Sequence, residues 1–170
     1  MAGHGLTVDH VSRLRADSLD VNANQKQRRR VLVVDDSSDG RWMISSILKC
    51  LGMDVTVAPS GREGCEVAMT AVRGEQPFDL VLMDWQMPDM DGCEATVRLR
   101  SAGYAGRIVA MMSPSSFGAV DHTWQRAGCD GFASKPISFE MLEGVVRRHA
   151  ATPAQGKKTA RPIRSRAMAS

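Results

Sequence analysis

Val31-Leu-Val-Val34 runs directly into Asp35-Asp-Ser-Ser38. Four consecutive apolar residues, three of them β-branched, form the pattern of a strand buried on both faces. The next four residues are of the kind that cap helices, and a helical stretch follows from Gly40 to Leu51, ended by Gly52. The reading is therefore strand, polar turn, helix, with two carboxylates held at the strand's end.

The same alternation continues along the chain. Val55–Ala58 reads as a second strand, and Pro59-Ser-Gly61 opens a helix to about Val72. Asp79–Met83 is a third strand, followed by a loop containing Pro and Gly and a helix over Cys93–Ser101. Ile108–Met112, a helix over Ala119–Ala127, Gly131–Ser134 and a helix over Phe139–His149 complete five strand–helix units. Apolar strands alternating with amphipathic helices predict an α/β fold: a five-stranded parallel sheet, doubly wound, with helices on both faces. Ligands of such sheets bind at the carboxyl ends of the strands.

Five polar residues fall at those ends. The first strand delivers Asp35 and Asp36, the third Asp84, the fourth Ser113 and the fifth Lys135. Crowded carboxylates repel one another, and a hard divalent cation such as Mg²⁺ relieves the repulsion with oxygen ligands. The cation and a lysine together can neutralise the oxygens of a phosphoryl group in transfer, and a central carboxylate can act as its nucleophile. The chemistry implied is metal-assisted phosphoryl acceptance.

Charge and composition limit the alternatives. The net charge of +3 conceals a split: residues 31–150 hold eleven basic and sixteen acidic residues, a net of −5, while the two ends of the chain are basic. The pI is thus no argument for nucleic acid, and Trp42, Trp85 and Trp124 form no stacking pattern for bases. Without an 18-residue apolar run or a secretory leader, the chain is expected to be soluble and cytoplasmic, with no membrane span. Cys50, Cys65, Cys93 and Cys129 have no metal-ligand spacing and read as small buried hydrophobes. Residues 1–30 read as a flexible leader, in which Leu6, Val8, Val11 and Leu14 could form a short helix; residues 150–170 read as a basic disordered tail, and 31–149 as one domain.

Four motifs in order resemble the receiver domains of two-component response regulators, of the chemotaxis-receiver kind. They are Val33-Val-Asp-Asp36, Asp84-Trp-Gln-Met-Pro-Asp-Met-Asp-Gly92, Ala127-Gly-Cys-Asp-Gly-Phe132 and Lys135-Pro136, and the likeness covers about Val31 to His149. The resemblance implies a flavodoxin-like (βα)5 fold, and the strand order 2-1-3-4-5 comes with it and not from the spacing. It also implies Asp84 as phosphoacceptor, Mg²⁺ held by Asp35, Asp36, Asp84 and the Gln86 carbonyl, and Lys135 paired with the phosphoryl group before a cis Pro136. Ser113 and Phe132 match the switching hydroxyl and aromatic. Counted forward from the fourth strand, the hydroxyl position could fall on Met112; counted back 22 residues from Lys135 it falls on Ser113. Pro114 stands where a smaller residue is usual.

The implied function is a switch, not an enzyme acting on outside substrates. A histidine kinase or histidine phosphotransfer protein would phosphorylate Asp84, and Mg²⁺-dependent autodephosphorylation would reset it, with Gln86 and Ser115 beside the path of the attacking water. The downstream protein target is left open. The alternative is a protein-binding module on the same fold that is not phosphorylated. A phosphohydrolase with an Asp-x-Asp nucleophile is disfavoured by Gln86. Asp89 and Asp91 read as turn residues, and Met83, Met111 and Met112 as core.

Overall fold

The structure, a computed structural model, describes residues 28–114 and 122–150. The expected leader up to residue 27, the expected tail from residue 151, Ser115 and residues 119–121 lie outside the described residues, while Arg30, read as leader, opens the first strand and Ala150, read as tail, closes the last helical turn. Five strands, β1 (Arg30–Val34), β2 (Asp54–Ala58), β3 (Leu80–Asp84), β4 (Arg107–Met112) and β5 (Gly131–Ser134), pair in parallel in the order β2-β1-β3-β4-β5. The helices are α1 (Ser38–Cys50), α2 (Gly61–Arg73), α3 (Gly92–Ser101), α4 (Thr123–Ala127) and α5 (Phe139–Val145), the last running into a π-helical turn over Val146–Ala150. The chain is thus the doubly wound parallel sheet its alternation foretold, in the flavodoxin-like strand order the resemblance implied.

Strand periodicity divides the core in two. Val31, Val33, Leu80 and Leu82 point to the face covered by Ile44 and Leu48 of α1 and Leu142 and Val145 of α5. Leu32, Val34, Val81 and Met83 point to the other face, against Cys65 and Ala68 of α2 and Ala95 and Leu99 of α3. The central strands are buried along their length because both of their faces are roofed. Truncating a side chain such as Leu82, fully buried, costs about 2–5 kcal/mol in a core packed this way.

Capping explains where the helices start. The Ser37 hydroxyl accepts from the Gly40 amide at 3.2 Å, so α1 begins at Ser38, earlier than the Gly40 expected. Ser60, Asp91 and Ser138 cap α2, α3 and α5 in the same way. Asp79 falls outside β3 because its carboxylate is committed elsewhere. It accepts from the Arg30 amide at 2.8 Å and pairs with Arg29 at 3.1 Å. One cysteine departs from expectation: Cys50, the last residue of α1, is exposed, while Cys65 and Cys129 are buried and Cys93 is half-buried.

Candidate functional site

β1 and β3 are neighbours and β5 lies one strand further on, across β4; all three end at the carboxyl edge of the sheet, and the long Lys135 side chain spans the gap to bring the expected acids and lysine together. Asp35 and Asp84 are buried, at 1% and 4% exposure, and Asp36 is exposed at the mouth. The Lys135 ammonium lies between the buried pair, 2.8 Å from Asp84 Oδ2 and 3.0 Å from Asp35 Oδ2. The three aspartates each offer a carboxylate oxygen within 4.8 Å of the others, a spacing at which one cation can be shared.

Each buried acid is aimed by the turn that follows it. Asp35 Oδ1 accepts from the Ser37 amide at 2.9 Å, and Asp84 Oδ1 from the Gln86 amide at 3.2 Å. Asp35 therefore does not cap α1; Ser37 does. The backbone amide of Asp35 is tied to the Ala58 carbonyl at 3.2 Å, continuing the pairing of β1 with β2. Behind Asp84 the β3–α3 loop folds back, with the Gly92 amide on the Trp85 carbonyl at 3.1 Å. A Cβ at Gly92 would stand 2.2 Å from the Asp84 carbonyl oxygen, so glycine is required there by space, not by turn geometry. Asp89 takes a left-handed conformation (φ 65°) and Asp91 caps α3, which makes both of them turn residues, as expected.

Electrostatics follow from this crowding. Burial pushes the Asp84 carboxyl above its ordinary value, with the Asp35 charge acting in the same sense and Lys135 opposing it. Burial would lower the Lys135 ammonium, but its bonds to Asp84 and Asp35 outweigh that and hold it above its ordinary value. Lys135 precedes a cis peptide bond to Pro136, and its amide donates to the Met112 carbonyl at 2.7 Å.

The remaining candidates are more loosely placed. Ser113 follows β4 immediately and is half-buried, whereas Met112 is buried in the core; Met83 and Met111 are core residues as well. Phe132, on β5, is 44% exposed, and its ring lies 5.4 Å from that of Trp124. It faces outward, away from the core. Gln86 has an exposed side chain beside Asp84, and Trp85, next to Asp84, is buried. One contributor was missed in the sequence. Arg41, five residues after Asp36, reaches back to the carbonyls of Asp35 and Asp36 at 2.7 and 3.0 Å. An arginine one turn into a helix carries no sequence signal for that contact.

The likeness to known proteins agrees with this geometry. The model of the response regulator receiver domain matches residues 31–147. A two-component response regulator of Oryza sativa subsp. japonica is 45% identical over 118 residues, 69% of this chain and 90% of the rice protein. Sensor protein GacS of Pseudomonas syringae pv. syringae is 32% identical over 121 residues; that match takes in 69% of this chain but 13% of the sensor. Among solved structures, the chemotaxis protein CheY4 of Vibrio cholerae superposes with a TM-score of 0.61 at 30% identity, covering 72% of this chain and 98% of CheY4. In fold, at 21% identity and a TM-score of 0.64, the chain also resembles a chain in the complex of the Saccharomyces cerevisiae phosphotransfer protein Ypd1 with the Ssk1 receiver domain, covering 75% of this chain and 92% of that one. The five-stranded parallel sheet, the aspartate cluster at its carboxyl edge and these matches together make the chain a member of the response regulator receiver domain family, the signalling domain of two-component systems.

Proposed function

We propose that the domain is a signalling switch in which Asp84 takes a phosphoryl group from the phosphohistidine of a histidine kinase or histidine phosphotransfer protein. The observation that carries this reading is one ammonium set between two buried acids, with a third acid at the mouth. In the transfer, an Asp84 oxygen forms a bond to phosphorus as the phosphorus–nitrogen bond to the donor imidazole breaks. The electron pair of that bond stays on the ring nitrogen. Lys135 already lies against an Asp84 oxygen, so a small rotation lets its charge follow the phosphoryl oxygens.

The donor set suits Mg²⁺: three carboxylates within 4.8 Å, with a single lysine paired to two of them. Asp35, Asp36, Asp84 and the Gln86 carbonyl would hold the ion, which when bound neutralises charge on the phosphoryl oxygens. Hydrolysis of the Asp84 acyl phosphate returns the carboxylate and releases inorganic phosphate, and the exposed Gln86 beside the site is placed to set its rate. Ser113 moves toward the phosphoryl group, and Phe132 turns from its outward position into the space vacated. A few kcal/mol of differential contact suffices for such a population shift. The readout is a cytoplasmic protein that distinguishes the two shapes.

Tryptophan fluorescence during titration with Mg²⁺ and then beryllofluoride, a phosphoryl mimic, tests this, with Asp84→Asn as control. A Mg²⁺-dependent beryllofluoride response that is lost in the variant supports the switch. If Mg²⁺ binds while neither fluorescence nor NMR shifts respond to beryllofluoride, the domain is instead a binding module that is not phosphorylated.

A further inference from the structure

We infer that Arg41 is the positioning residue of the metal site, holding the backbone that presents Asp35 and Asp36. The inference rests on the proposed Mg²⁺-dependent function and assigns a part of it to this chain's own arginine. The carbonyls of Asp35 and Asp36 lie between the last residue of β1, Val34, and the Ser37 cap of α1, past the strand and before the helix; the Asp35 amide still reaches the Ala58 carbonyl, but these two carbonyls are met by Arg41. One guanidinium nitrogen, Nη1, carries two hydrogens and donates to both carbonyls, at 2.7 and 3.0 Å. These are charge-assisted bonds from a planar group, and they fix two successive peptide planes at once.

The base of Arg41 is itself anchored. Its amide donates to the Ser37 carbonyl at 3.0 Å, in the first turn of α1. Arg41 therefore links the helix start to the strand end across the turn that carries both acids. This matters most for Asp36. The Asp35 carboxylate is gripped directly, by the Ser37 amide and by Lys135. The Asp36 carboxylate is exposed, and its direction follows from the backbone that Arg41 holds. Groups that orient metal ligands without touching the metal change affinity by about ten- to a hundredfold when removed.

Charge alone predicts the opposite sign. A guanidinium beside a cation site repels the cation, so a purely electrostatic Arg41 would weaken Mg²⁺ binding, and its removal would tighten it. Positioning predicts that removal loosens binding. The test is Mg²⁺ affinity by tryptophan fluorescence for wild type, Arg41→Ala, Arg41→Gln and Arg41→Lys, with urea melts in EDTA to report folding. Expected are about tenfold weaker Mg²⁺ binding in Arg41→Ala and a smaller loss in Arg41→Lys, which keeps the charge and a multiple donor on a shorter side chain. Saturating Mg²⁺ should return the full beryllofluoride response in both. If Arg41→Ala melts too early to titrate, Arg41→Gln, which keeps part of the apolar stem but neither the charge nor the reach of Nη1, replaces it. Affinity that is unchanged or tighter overturns the inference and leaves the switch standing. Wild type that fails to bind Mg²⁺ overturns both.

Discussion

The two edges of the sheet treat aspartate in opposite ways. At the amino edge Asp130 faces two arginines: Arg100 at 2.8 Å and Arg107 at 3.3 Å, while Asp130 Oδ2 also accepts from the Ile108 amide at 3.0 Å. Arg100 spends its other hydrogens on the carbonyls of Gly128, Tyr104 and Gly106, so the end of α3 and the turns before β4 and β5 are laced together. At the carboxyl edge the ratio is inverted. Among the described residues, Asp35 and Asp84 share the single ammonium of Lys135, Asp36 stands at the mouth, and the Arg41 guanidinium is turned to backbone carbonyls. Surplus positive charge around one acid is a structural device, whereas surplus acid around one lysine leaves a place for a further cation. The same residue type is thus neutralised at one edge and left in excess at the other.

Asp130→Ala should break the contrast most severely. It leaves two half-buried guanidiniums and a backbone amide without their shared acceptor, and should lower unfolding free energy by about 3 kcal/mol in urea melts. Asp84→Asn should act in the reverse direction. With no divalent cation present, removing one charge from the crowded edge should raise stability by about 0.5–2 kcal/mol while abolishing phosphorylation. Because the folded Asp84 carboxyl is held above 3.8, wild type binds the proton more readily folded than unfolded in the window between the two values. The advantage of the asparagine variant should therefore shrink as pH falls through that window.

The smallest effect is expected at His149, beside the amino-edge network. Burial and the Arg148 charge hold its imidazole below 6.5, against the pull of Asp130. The unfolded chain then takes up the proton first, so falling pH should cost stability from about 6.5 down to the lowered folded value, and not further. The difference in urea midpoint between wild type and His149→Gln across pH 7 to 5 measures it, and a flat difference would remove His149 from the network's account.

How much of this was legible beforehand varies with the kind of interaction. β1 and β3 announce themselves because strands buried on both faces must be continuously apolar, and Gly131–Ser134 was read to the residue. The acids and Lys135 were found together because strand ends of a parallel sheet share one edge, a matter of topology more than of contact. Helix bounds slipped where a cap set them: Ser37 starts α1 two residues early, and α5 yields at Val146 to a wider turn inside a stretch read as one helix to His149. The Arg100–Asp130 and Arg41 contacts were not visible at all. They join side chains to partners whose positions are set by the packed fold, and no local pattern encodes which partner a long side chain will reach.

Gly92 has a consequence for how Asp84 is held. Its missing side chain lets α3 begin in contact with the backbone of Asp84 and Trp85, and the Gly92 amide is bonded to the Trp85 carbonyl. On that side Asp84 is held to its neighbour main chain against main chain. On the other side it is paired with Met111 of β4, and it touches Lys135, just past β5, through side chains alone. A glycine with no side chain thus sets how near a helix can come to the carboxylate at the centre of the cluster.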